Sequence, residues 1–225
     1  MDATHIVFAI YPNVTQLDFT GPHQVFSRLP GARVTLASSA GGTVEGDGLQ
    51  FANVARLADV ERCDVICVPG GYGVIDAMAD EVFLRELKRL AAGARYVTSV
   101  CVGSLALGAA GLLKGKRAAC HWAWRDLLAP FGAIVDTGRV VRDGNVITGG
   151  GITAGIDFAL TLAAEIAGPE AAQAIQLVME YAPAPPFDAG RPETAPAEVL
   201  ALVQLRLSAT SGPRRAAVEA AARKL

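Results

Sequence analysis

Residues 95–113 constrain the fold most, because the pattern of the chain changes there within a few positions. Tyr96–Val100 is a β-branched and aromatic run, the composition of a strand. From Gly103 to Leu113 the chain is Ala, Leu and Gly with small residues at close spacing, which reads as a buried helix. Cys101 stands at the change. A side chain on such a turn is lifted out of the sheet and held at a helix N-terminus, where free N–H groups and partial positive charge favour an anion. A thiol there is expected to ionise more easily than a free one, and the thiolate is the nucleophile. Strand–turn–helix elbows hold a nucleophilic serine in hydrolases in the same way. The competing reading is a small apolar cysteine that fills core space.

The flanking segments repeat the alternation. His5–Tyr11, Arg33–Ser38 and Asp64–Val68 read as strands, the first and third apolar on both faces. Residues 44–53 suggest a hairpin, and Asp143-Gly144 joins two short strands at 139–142 and 145–148. Further short strands are expected at 117–120 and 133–135. Helices are expected at 17–29 with the regular part from Pro22 and Thr20 as cap, and at 81–92, 121–131, 152–165, 169–180, 196–209 and 213–225. Alternating strands and helices argue an α/β fold with an open, mostly parallel sheet. Its 225 residues read as a single domain, with residues 183–225 forming a Pro-rich arm and C-terminal helices. Such an arm lies on its own domain or on a partner subunit, and a homodimer is the commonest assembly.

The charge balance narrows the function classes. A net charge of −2 gives no nucleic-acid footprint. The one basic cluster, Arg214-Arg215 with Arg223-Lys224, reads as the wet face of the last helix. No run is long enough to span a membrane and no signal peptide is visible, and four cysteines without a disulfide framework suggest a reducing compartment, so a cytoplasmic protein is expected. Cys63, Cys67, Cys101 and Cys120 make neither a disulfide framework nor a zinc set, since no His-x₃₋₅-His element accompanies them.

In an open α/β sheet, ligands bind outside the carboxyl ends of the strands. Four segments reach that edge: the one carrying Asp18, Pro69-Gly70-Gly71-Tyr72-Gly73, Cys101, and Gly149-Gly150-Gly151-Ile152. Gly70-Gly71 fits neither a dinucleotide fingerprint nor a P-loop. It serves either as a tight turn or as an oxyanion-type site whose N–H groups approach a reacting atom. Asp18, between Leu17 and Phe19 and near a thiolate, would have a raised pKa and donate a proton near neutrality. A solvated or capping aspartate is the alternative. His121 is either a base for Cys101 or a structural donor.

The runs at 64–71, 96–113, 119–122 and 146–157 resemble the DJ-1/PfpI superfamily. With Leu-Asp-Phe-Thr-Gly-Pro-His at 17–23 and Glu-Tyr-Ala-Pro-Ala-Pro-Pro-Phe at 180–187, the chain is most similar to the isocyanide hydratases within it. The resemblance implies a flavodoxin-like fold, a homodimer and an enzyme without cofactor or metal. It implies that Cys101 is the nucleophile, with Asp18 as its acidic partner. Gly70-Gly71-Tyr72 would form the oxyanion side, and Gly150–Ile152 would flank the cysteine. The activity implied is hydration of a small hydrophobic isocyanide to an N-substituted formamide through a cysteine thioimidate, with Asp18 as general acid and base. Glyoxalase or deglycase-like chemistry, a related hydrolysis, or a redox or ligand sensor built on Cys101 are the alternatives. One position departs from the pattern: Val102 stands where Thr is expected in close hydratases and His in PfpI-type proteases. The backbone N–H of Val102 remains available.

Overall fold

The computed structural model describes residues 3–225. Its centre is an eight-stranded sheet in the order β3-β4-β2-β1-β5-β6-β10-β9. The strands are β1 (Thr4–Ala9), β2 (Ala32–Ser38), β3 (Gly42–Gly46), β4 (Leu49–Arg56), β5 (Val65–Val68), β6 (Tyr96–Val100), β9 (Val140–Asp143) and β10 (Val146–Gly149). The six inner strands run parallel, and antiparallel β3 and β9 close the two edges. From β1 the chain first winds outward through β2, then returns to place β5 on the other side of β1. The switch point therefore lies between β1 and β5, where loops leave in opposite directions and open a crevice.

Burial explains the strand sequences. β5 and β6 are buried at every position, so both faces are largely apolar, and the buried hydroxyl of Ser99 has no hydrogen-bond partner among the described residues. Thr98, by contrast, donates its hydroxyl to the Ile66 carbonyl, 3.0 Å away. On one face α1 (Leu17–Phe26) packs with α5 (Ala154–Ala167), and on the other α3 (Glu81–Gly93) packs with α4 (Gly103–Ala109). Phe8, Phe19, Phe26 and Phe158 interlock over the first face. Tyr11 meets Phe83 edge-on over the second. α2 (Val74–Ala77) follows the β5 loop, and α6 (Pro169–Val178) carries its proline in the first turn, where a missing N–H costs nothing. The chain ends in α7 (Ala197–Ser208) and α8 (Ser211–Ala222).

Several local expectations are corrected. α1 begins at Leu17, not near Pro22, and the Thr20 hydroxyl bonds the Gln16 side chain instead of capping a helix. Pro22 sits in the second turn; its fixed φ is helical, and it removes only the one bond that its N–H would have made to the Asp18 carbonyl. α4 stops at Ala109, before Gly111 with its φ of 74°. Residues 121–131 are not an α-helix. They form turns and then a 3₁₀ segment, Arg125–Phe131, which contains Pro130 and closes at left-handed Gly132 as expected. Arg117–Ala118 (β7) and Ile134–Val135 (β8) pair with each other in a separate two-stranded sheet. The largest surprise is Arg214: it is 3% exposed, the opposite of a solvated basic face.

Candidate active site

Three loops meet at the switch point. After β1, the Pro12-Asn13 turn leads into α1 and brings Asp18 into its first turn, fully buried. After β5, the Gly70-Gly71 loop lies against the first: Thr15 N–H donates to the Gly70 carbonyl (3.0 Å), and Gly73 N–H to the Asn13 carbonyl (3.2 Å). The Tyr11 hydroxyl donates to the Pro69 carbonyl at 2.6 Å and fixes the strand end. After β6 comes Cys101, whose N–H donates to the Gly149 carbonyl at 3.0 Å. That bond ties the elbow to the Gly149–Gly151 turn.

Cys101 has a φ of 58°, a left-handed conformation that is strained for a residue with a Cβ. The surroundings hold it there. Ser104 bonds the Cys101 carbonyl from α4, and a Cβ on Gly103 would collide with the backbone of Val68 and Pro69. α4 can therefore start only this close to β5 with glycine at its first position.

Asp18 and Cys101 face each other. One carboxylate oxygen, Oδ2, accepts the Gly70 N–H at 2.8 Å, while Oδ1 is buried without a hydrogen-bond partner among the described residues. Burial raises the pKa of Asp18 to about 7, against the lowering effect of the Gly70 N–H and the Cys101 thiol. The thiol differs from expectation. Cys101 is 4% exposed, and burial, then the charge on Asp18, push its pKa well above the ordinary value. The Val102 N–H beside the sulfur opposes this without overcoming it. Helix-terminus stabilisation falls short because α4 is only two turns long and the thiol has little contact with water.

The remaining sequence candidates divide between two places. Gly70 must be glycine: a Cβ there would lie 2.7 Å from both Asp18 Oδ2 and the Val102 nitrogen. Gly71, with a φ of 123°, packs on Asn13–Thr15. Tyr72 turns outward, 61% exposed, and its ring meets Trp124 at a centroid distance of 6.3 Å. Gly150 and Ile152 line a cavity of about 480 Å³ together with Cys120, His121 and Arg125. Cys101 and Asp18 are not among its lining residues. Among the described residues His121 makes no hydrogen bond to Cys101. Its Nδ1 accepts the Ala123 N–H at 3.3 Å, and burial and the Arg214 charge lower its pKa. Cys67 and Cys120 are buried, with pKa values pushed up to about 12, which suits core thiols. Among the described residues, no group of three or more His, Cys, Asp and Glu converges as metal ligands would.

Sequence reasoning did not find Arg214. α8 brings its guanidinium over Trp124, 4.0 Å from the ring centroid, and 5.4 Å from that of Tyr72. The only signal available in the sequence was a cluster of basic residues, which normally marks a solvated helix face.

A strained cysteine at the strand–helix elbow of a doubly wound sheet, with a buried carboxyl from the neighbouring switch-point loop, defines a flavodoxin-like α/β protein with an elbow cysteine. The chain belongs to the DJ-1/PfpI family, whose pattern matches residues 4–165. It is 53% identical over 99% of its length, and 98% of the relative's, to an isonitrile hydratase from Pseudomonas putida. It is 30% identical to protein dj-1beta of Drosophila melanogaster over 73% of this chain and 90% of that one. A solved ThiJ/PfpI family protein from Pseudomonas syringae superposes with a TM-score of 0.92 at 41% identity, covering 99% of this chain and 91% of that one.

Proposed function

We propose that this protein is an isonitrile hydratase, an enzyme that adds water to an isocyanide and releases an N-substituted formamide. The observation that carries the reading is the buried Asp18 carboxyl, with a pKa of about 7, set against the elbow cysteine. The near full-length identity to the Pseudomonas putida isonitrile hydratase supports it. An isocyanide carbon has a lone pair and accepts a nucleophile, so it needs a sulfur and a proton at the same atom. Asp18 as carboxylate takes the thiol proton while the sulfur bonds to the terminal carbon. It then delivers that proton to the same carbon, leaving a thioimidate, R–N=CH–S–Cys101. In the second half Asp18 accepts a proton from water as the oxygen adds to the carbon. The nitrogen gains a proton, the C–S bond breaks, and the thiol re-forms as the formamide leaves. One carboxyl thus serves as acid and as base.

The Val102 N–H beside the sulfur steadies negative charge there, and Gly70 and Gly71 keep the β5 loop close enough to hold the carboxyl. Tyr72, Gly150 and Ile152 contribute to substrate contact at the rim. The high pKa of the thiol favours this proton-coupled attack over a role as peroxide sensor, which needs a resident thiolate. The protein acts as a cytoplasmic homodimer, and no helix among the described residues is long and apolar enough to cross a membrane. The test is formamide release from an alkyl or aryl isocyanide, followed by chromatography. Turnover by wild type that is absent in Cys101→Ala supports the reading. A wild-type rate no greater than that of the variant refutes it, and conversion of glyoxal to glycolate instead would favour the glyoxalase alternative.

A further inference from the structure

The β3–β4 hairpin belongs to the sheet edge beyond β2, yet its tip reaches back to the loop that carries Asp18. Asp47-Gly48 is the two-residue turn between paired Gly46 and Leu49, and both residues have positive φ, 51° and 76°. A turn of this kind matches the twist of its strands and holds one shape. It lies hard against the segment between β1 and α1. Asn13 N–H donates to the Glu45 carbonyl at 2.8 Å, and a Cβ on Gly46 would collide with the Val14 carbonyl. Phe51 of β4 meets Phe19 edge-on, with ring centroids 4.8 Å apart. At the tip, Asp47 Oδ2 accepts the Gln16 N–H at 2.8 Å.

That last bond does for α1 what the helix does not do for itself. The first N–H groups of a helix have no partner within it, and its N-terminus carries partial positive charge that an acid relieves. Gln16 stands at the N-cap, and its side chain makes no capping bond. Asp47 supplies the cap from 31 positions further along the chain. Asp18 follows Gln16 by two residues, and its carboxylate is held by the Gly70 N–H. The hairpin thus pins the backbone that carries Asp18, while the β5 loop pins the carboxylate. We propose that Asp47 is the positioning residue for Asp18, capping α1 through the Gln16 N–H and setting an exposed negative charge beside the buried carboxyl. The proposal rests on the hydratase reading for its kinetics and deepens it. Burial, first of all, raises the pKa of Asp18 to about 7, and the Asp47 charge adds to it against the Gly70 N–H and the Cys101 thiol. The other titratable groups that feel Asp18 are Tyr11, Cys67, Cys101 and Cys120, whose pKa values burial raises, so they stay neutral. Asp47 is therefore the neighbouring charge that helps Asp18 keep its proton.

The experiment compares wild type with Asp47→Asn, which keeps the turn and the acceptor without the charge, and with Asp47→Gly, which keeps the turn alone. Both residues suit a left-handed turn, so the fold is retained. The Asp18 carboxyl is titrated by ¹³C NMR, its signal being the one that Asp18→Asn lacks, and kcat and KM for an isocyanide are measured from about pH 5 to 9. Both variants should titrate Asp18 lower than wild type by about 0.5 pH unit, the reach of one exposed charge through wet surroundings, and the rising limb of kcat/KM should move with it. Plateau kcat should fall about 2-fold in Asp47→Asn, where a neutral bond replaces a charge-assisted one. It should fall about 10-fold in Asp47→Gly, where the helix start is loose, with KM little changed. An Asp18 midpoint and a pH limb that stay at their wild-type values in both variants overturn the proposal, whatever happens to stability. Equal losses of kcat in the two variants overturn it as well, because the retained acceptor would then count for nothing. A midpoint that moves in a protein that hydrates no isocyanide upholds the hold of Asp47 on Asp18 and refutes the hydratase. Hydration by wild type with an unmoved midpoint in Asp47→Asn upholds the hydratase and refutes the hold.

Discussion

At the scale of single residues the proposed chemistry rests on how protons divide between Asp18 and Cys101. Asp18 titrates near pH 7 and Cys101 well above its ordinary value, so raising the pH first empties the carboxyl and leaves the thiol protonated. The form with one proton on the pair is the one that can attack and protonate in a single passage. kcat/KM for an isocyanide should therefore rise as the pH increases through about 7 and stay level to pH 9. A profile that falls across that range would contradict the assignment. The same shift has a thermodynamic consequence. A carboxyl whose pKa is raised on folding costs nothing below its unfolded value near 4 and its full penalty above its folded value. A rise to about 7 corresponds to roughly 4 kcal/mol at the upper limit. Asp18→Asn should thus abolish turnover yet stabilise the protein at pH 8, with the gain fading by pH 4, as read from denaturant midpoints at each pH. Gly70→Ala should be damaging at any pH, because its methyl group would press on both Asp18 and the Val102 N–H. A loss of turnover of at least about 100-fold is expected, from misplacement of the acid by a fraction of an ångström.

Among the elements, α8 is the one whose contribution is least visible in sequence and most open to test. It is anchored by fully buried Val218 and by Ala221 against α4, α2 and the 3₁₀ segment at 125–131. Val218→Asp would bury an unpaired charge there, so the helix should come away at a cost of about 3 kcal/mol or more. Protease cleavage between α7 and α8 should then become fast while circular dichroism still reports the central sheet; unchanged resistance would mean that α8 is not held through this face. The contrast with β5, β6 and β10 shows what a sequence makes legible. Those strands are apolar on both faces because helices cover both sides of a parallel sheet, and the period change at Cys101 marks the elbow directly. The placement of Asp18 and Gly70 followed from the rule that ligands gather at the carboxyl ends of strands. The start of α1 was hidden because Pro22 normally marks a first turn, and here it sits in the second. The segment 121–131 has helical composition, yet Pro130 and the packing of Trp124 hold it as turns and a tight 3₁₀ stretch. The low pKa expected for Cys101 assumed contact with water and a longer helix behind it. The burial of Arg214 depends on two aromatic residues 90 and 142 positions away in the chain, a tertiary pairing that no local pattern encodes.

For the molecule as a whole, the outer face of the C-terminal arm is the clue to assembly. α7 has no buried residue, although six of its twelve positions are Val or Leu. Val199, Leu202 and Leu205 stand exposed at a spacing of three residues, which places them along one stripe of the helix. Leu177 and Val178 at the end of α6, and Phe187 in the Pro-rich segment, are exposed as well. A helix of this length is marginal in water without an apolar surface to lie on. Large exposed apolar groups gathered on one appendage mark an interface, and a second copy of this chain offers the same stripe in return, as two-fold symmetry requires. Light scattering behind a sizing column should therefore give twice the mass of one chain for wild type. Leu202→Glu combined with Leu205→Glu should give the single-chain mass, because two like charges would face their counterparts across the axis. The arm also carries Glu193, which pairs with Arg125 near the cavity, and it leads into the helix that holds Arg214. Monomers made in this way should consequently show a higher KM for isocyanide with kcat less affected, the pattern of a loosened rim around an intact nucleophile. A wild type that is already monomeric, or a doubly charged variant that remains a dimer, would place the contact on another face.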